Sequence, residues 1–145
     1  MKISSLERFV EAQNRMYDTA LTEGRAGEKR SHWMGYIFPQ VRGLGYSEMA
    51  HFYGIEGLKE ASDYMAHPIL SNRLIEITGE LLNLPSDLSA TSIFGYTDAM
   101  KLRSSMTLFS LVSFPGSVFH KVIDRYFDGE KDDMTFEILS RSVSK

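Results

Sequence analysis

The sequence predicts an all-α fold, a compact single-domain bundle of seven to nine helices, several of them short. Three observations lead there. Apolar residues recur at intervals of three and four through most of the chain, no segment shows the alternation of a strand, and Gly or Pro stands at the ends of the periodic runs. A chain of 145 residues fits one domain, and a domain of that size buries roughly 68–70% of the surface its unfolded chain exposes, so it needs no covalent staples.

Ser4 and Glu7 have the spacing of a capping box, so the first helix is expected to begin there. Leu6, Phe9, Val10, Met16, Tyr17, Ala20 and Leu21 then mark its core face, Gln13 falls on the same stripe, and Gly24 and Gly27 end it. Residues 31–37 read as a short helix with Ser31 as N-cap, stopped by Pro39. After the turn residues Gly43 and Gly45, Ser47 caps a short helix ending at Gly54, and another covers residues 56–66. Pro68 suits a first helical turn, where its missing N–H costs nothing. Ile69, Leu70, Leu74, Ile77 and Leu81 form the apolar face of the helix that follows, and Pro85 closes it.

Residues 97–112 are apolar on most sides, which predicts a central helix. Ala99, Leu102, Met106 and Phe109 form one stripe, Leu108, Leu111 and Val112 lie elsewhere around it, and Lys101, Ser104 and Ser105 share the remaining face. Before this helix, SATSIFGY (89–96) suits an extended piece as readily as a helix, through Ile93, Phe94 and Tyr96. A helix over 117–127, with Gly129 as its stop, and a last one over 133–141 complete the chain.

Composition narrows the function. With 43% hydrophobic and 24% charged residues the chain is neither disordered nor membrane-embedded. No apolar run approaches the ~20 residues of a membrane span, and the N-terminus lacks the form of a signal peptide, so a cytoplasmic protein is expected. The absence of cysteine excludes disulfides, thiolate metal sites and a cysteine nucleophile. A net charge of −3 argues against nucleic acid as a partner. The four histidines lack zinc-site spacing, so no metal is expected. GLGYSE (43–48) departs from a dinucleotide fingerprint at Glu48, and there is neither a P-loop nor a GxSxG elbow.

One stretch stands out. EKRSHWMGYIFPQ (28–40) places Lys29, Arg30 and His32 around a predicted helix N-terminus, where free N–H groups and cations favour an anion. Trp33 and Tyr36, three apart, offer an aromatic wall for a base or sugar face. Without a ligand, the same aromatics are simply core. Gln13, Gln40, Lys101, Ser104 and Ser105 are polar residues at positions read as buried or in loops, and each needs a hydrogen-bond partner. Their convergence with Lys29, Arg30, His32 and Trp33 on one polar cleft is the site hypothesis. Asp98, at the start of the central helix, either caps it or faces that cleft, with capping as the first reading.

The blocks RFVEAQ, KRSHWMGYIFPQVRGLGYSEMAHFYGI, EASDYMAHPILSNRL, IFGYTDAMKLRSSMTLF and FHKVIDRYFDGEKDDMT resemble, in order and over nearly the whole chain, the bacterial domain-of-unknown-function family numbered 1810. The resemblance implies an all-helical domain of about this length and no established activity or catalytic residues. Some members carry the label calpastatin, but that inhibitor is a disordered chain, whereas this composition is that of a packed domain. An aromatic residue commonly follows HWM in the family, where this chain has Gly35.

The leading expectation is a small anionic ligand, a nucleotide or phosphorylated sugar, bound by Lys29 and Arg30, stacked on Trp33 and bonded by Lys101, Ser104 and Ser105. Were it an enzyme, His32 and Asp98 are the acid–base candidates, with glycosidic or phosphoester hydrolysis the reaction class. The alternative is a non-enzymatic protein–protein interaction module, its adaptable surface supplied by methionines.

Overall fold

The computed structural model describes residues 5–143. Nine helices and no strand occur among them: α1 (Glu7–Ala26), α2 (Met34–Ile37), α3 (Glu48–Phe52), α4 (Leu58–Ala66), α5 (Pro68–Leu82), α6 (Ala90–Phe94), α7 (Tyr96–Ser110), α8 (Val118–Phe127) and α9 (Asp133–Val143). The all-helical expectation therefore holds, at the upper end of the predicted helix number.

Local chemistry explains most boundaries. Ser4, expected in a capping box, lies outside the described residues, and the Glu7 N–H is taken instead by Ser5 Oγ at 3.1 Å. Gly27, in the left-handed region at φ 73°, caps α1 and returns its N–H to Glu23 and Gly24 carbonyls. Gly24 was expected to help end the helix, but it stays inside it, buried opposite Ile77 of α5. Pro68 opens α5 as expected, and the His67 ring accepts the Leu70 N–H.

Two sequence expectations need correction, and one alternative that the sequence left open is decided. The possible extended piece at 89–96 is helical, because Ser89 and Ser92 satisfy each other's backbone N–H at 3.0 Å each while Ile93 and Phe94 are buried. Ser31 is not an N-cap: α2 begins three residues later, behind Trp33, and has no side-chain cap. Ile69 and Leu111, counted as apolar-face residues, are exposed at helix ends.

The buried apolar residues form one connected cluster with α7 at its centre. That helix packs on α6, α8, α9 and α4, while α1 lies on α5 and α2. Phe9, Tyr64, Phe109 and Phe119 form a continuous run of ring contacts through the cluster, with centroids 5.1–5.9 Å apart. Ser104 and Thr107 of α7 are spent on docking α9: Ser104 Oγ donates to Asp132 Oδ2 at 3.0 Å, and Thr107 Oγ1 accepts the Asp132 N–H at 2.9 Å. Asp132 in turn accepts from the Thr135 N–H and hydroxyl, which fixes the start of α9.

α3 is attached differently, with no residue of its own buried. Its anchor is Arg8, buried on α1, whose guanidinium donates to Phe52 O (2.7 Å), Gly54 O (3.0 Å), Ser5 O (2.7 Å) and both oxygens of buried Glu60 (3.0 and 3.3 Å). Every N–H of the guanidinium is thereby used. A parallel bridge between Val41 and Ile55 closes the base of the loop that carries α3. Gly54 is required there by contact, since a Cβ would come within 2.7 Å of Arg42 Cα.

Removing one member of a buried ion pair strands the other charge, at ~3–5 kcal/mol. Arg8→Met should therefore lower the urea-unfolding free energy by about that amount, and Arg8→Lys should recover only part of it, because an ammonium has three donors instead of five.

Candidate functional site

The 28–33 loop is organised by a residue that the sequence reading passed over. Glu23, in the last turn of α1, accepts hydrogen bonds from Arg30 N (2.9 Å), Ser31 N (3.0 Å), Ser31 Oγ (2.6 Å) and the Trp33 indole N–H (2.8 Å). The anion expected at this loop is thus supplied by the chain itself. Partial burial works to raise the Glu23 pKa, but the hydrogen bonds from Ser31, Arg30 and Trp33 outweigh it and bring the carboxyl down to about 2. A signal was available in the sequence: a carboxylate in a helix's last turn opposes the dipole and calls for compensating donors.

With the loop held this way, Lys29 turns inward. Its backbone N–H bonds Ile93 O at 2.8 Å, and its side chain crosses the Trp33 ring at 5.2 Å to reach Asp98 Oδ2 at 2.8 Å. Asp98 occupies the first turn of α7, where the helix dipole favours a negative charge, but it makes no capping bond. Its second oxygen faces Lys101, one turn on, at 3.8 Å. Lys29 is only 8% exposed against 41% for Lys101. One cation is fixed and the other is adaptable.

These groups line a cavity of about 210 Å³ between the 29–40 loop, α3 and the start of α7. His32 and Gln40 line it too, and neither side chain hydrogen-bonds another described residue. Gly35 leaves part of the wall bare, for a Cβ there would meet nothing within 4 Å. From α3 and its flank come Ser47, Met49 and Tyr53.

The structure therefore brings together Lys29, His32, Trp33, Gln40, Asp98 and Lys101, and places the other sequence candidates elsewhere. Arg30 points to solvent and pairs with Glu28 at 3.1 Å, because its backbone is committed to Glu23. Trp33 lines the cavity but is 1% exposed, its ring closed in by Phe38 and Phe94, so it offers no free face for stacking. Tyr36 is buried against Tyr53. Gln13 is a core residue that donates to Tyr36 O (2.8 Å) and Tyr64 Oη (3.0 Å) and accepts from Arg73 (3.2 Å). Ser104 serves α9, and Ser105 Oγ is buried without a partner.

Fold and site together define an all-helical protein with a small lysine–carboxylate cavity under a short surface helix. The chain belongs to the family described as protein of unknown function (DUF1810), whose pattern matches residues 3–139. That agrees with the resemblance read from its motifs. It is similar to a solved structure from Mycobacterium tuberculosis, the conserved hypothetical protein Rv1873, at 44% identity and a TM-score of 0.89, with 93% of this chain and 96% of that chain covered. No curated protein matches the chain.

Glu23 supplies a pH test. Its folded pKa lies below the unfolded value of 4.5, so its contribution is present above that value and fades as pH falls towards about 2. Glu23→Gln should remove this acid-sensitive part of the stability profile and cost about 1–3 kcal/mol at neutral pH. Urea unfolding followed by Trp33 fluorescence between pH 6 and pH 2 reads both effects.

Proposed function

We propose that the protein binds a small ligand through one anionic group held in this cavity, a nucleotide or phosphorylated sugar being the class to test first. The observation that carries the reading is the lysine pair. A buried ammonium needs an opposite charge, and Asp98 gives Lys29 one at 2.8 Å, which leaves the more exposed Lys101 with the longer contact of 3.8 Å. Here Asp98 is shared between Lys29 and Lys101, which leaves positive charge in a partly enclosed space beside the unused polar groups of His32 and Gln40. Arg30, Ser104 and Ser105 have no part in this version of the site. Asp98 faces two lysines and so positions the cations.

A thermal-shift screen against nucleotides, sugar phosphates and simple anions tests the reading. A ligand at a hundred times its Kd stabilises a protein by ~2.7 kcal/mol. The expected result is a shift in wild type that is lost or much reduced in Lys101→Ala and retained in Arg30→Ala. No shift from any compound, or a shift indifferent to Lys101→Ala, would overturn it.

A further inference from the structure

We infer that the ligand is a singly charged acid bearing a flat apolar ring, its anionic head between Lys29 and Lys101 and its ring on the outer face of α3. This rests on the proposed function and narrows it: within the class to test first it keeps the phosphodiesters, such as cyclic nucleotides, and sets the phosphomonoesters aside. Three observations point to this division of the ligand.

The first is charge. Besides His32, the ionic side chains lining the cavity are Lys29, Lys101 and Asp98, which leave one positive charge uncompensated. Arg30 and Arg42 are paired with Glu28 and Glu56, and the acid of the α3 surface, Glu48, lines the outer concavity and not the cavity. A carboxylate or a phosphodiester carries the matching single charge. A phosphomonoester, which carries about −1.5 to −2 at neutral pH, leaves charge unmatched where water is partly excluded.

Size is the second. Sites for drug-sized ligands span about 300–1,000 Å³, and this cavity holds about 210 Å³. It accommodates a head group, so the rest of a larger molecule must lie on the rim.

The third is the rim itself. Ser47, Met49 and Tyr53 line both the cavity and the concave outer surface around α3, so the two adjoin. On that surface Tyr46 is fully exposed, Met49 is 53% exposed and Phe52 is 45% exposed. Trp33, the ring expected from sequence to stack, is only 1% exposed. The exposed apolar groups on α3 take over that role, and a methionine beside an aromatic ring suits a planar partner.

Isothermal titration at pH 8 separates the parts. The probes are acetate, 2-naphthoate, 2-naphthamide and 2-naphthyl phosphate, with cyclic AMP and AMP as a phosphodiester and a phosphomonoester carrying the same base. The expectation is that 2-naphthoate or cyclic AMP binds on the order of tenfold more tightly than acetate, the uncharged amide and the corresponding phosphomonoester. Which of the two singly charged probes is tighter identifies the head as carboxylate or phosphodiester. Lys101→Met should abolish the preference for naphthoate over naphthamide, whereas Phe52→Ser, which touches the outer surface of α3 and not the cavity, should abolish the preference for naphthoate over acetate while acetate binding stays unchanged. Tighter binding of either phosphomonoester overturns the charge assignment. Full ring dependence in Phe52→Ser overturns the assignment of α3, and leaves that face to a protein partner. If acetate binds as tightly as 2-naphthoate and cyclic AMP, this inference fails while the proposed function stands; if none of the anionic probes binds, both fail.

Discussion

Glu23 lies in the last turn of α1, where the helix dipole disfavours a negative charge, yet the 28–33 loop is built around its carboxylate. Two backbone N–H groups, a hydroxyl and an indole N–H converge on it. Those four bonds set the path of the loop, and the path decides that Lys29 faces inward while Arg30 faces water. They also satisfy the one polar atom of a tryptophan that is otherwise entirely in the core. Without that acceptor the indole would have to turn or be hydrated, and the floor of the cavity would go with it.

α1 repeats the same device along its length. Arg8 near its start ties down the 52–54 backbone and Glu60; Gln13 in its middle links Tyr36, Tyr64 and Arg73; Glu23 near its end gathers the motif loop. Each is a polar side chain on or beside an apolar face, satisfied by elements far away in the chain. Burial pushes the Tyr64 phenol well above its usual range, and its hydrogen bond from Gln13 only partly offsets this, so the pair acts as a fixed, uncharged link. Hydrophobic burial holds the helices together without choosing their relative registers, and these polar contacts supply the choice.

At the opposite end of the chain's charge economy, α7 presents Asp98 and Lys101 to the cavity from its first turns and buries nearly everything after them. Lys29 arrives from the loop that Glu23 fixes, and α3 arrives on the backbone that Arg8 fixes. The cavity is thus the meeting point of two segments, each positioned by a different polar residue of α1. Arg125 plays a comparable part away from the site, donating to the Leu81, Leu82, Leu84 and Pro85 carbonyls and so finishing α5.

By itself the sequence determined the helices, the central place of 97–112, the cap at Ser47, and the family, because periodicity and capping act over three or four residues. It also marked the KRSHW stretch and Asp98 as the place to look. The tertiary structure alone decided which polar residues meet. Arg8 and Glu60 are 52 residues apart, and Gln13 and Arg73 are 60 apart; nothing in either local pattern names the partner. Ser104 and Lys101 share one predicted helix face, yet one docks α9 and the other faces the cavity, because a helix face is wide enough to meet two neighbours. Trp33 was legible as an aromatic at a suspected site, but whether its ring is a wall for a ligand or part of the core depends on Phe38 and Phe94 closing over it. Spacing along the chain reports what a segment can form, and the packing of distant segments settles which of its groups remain free.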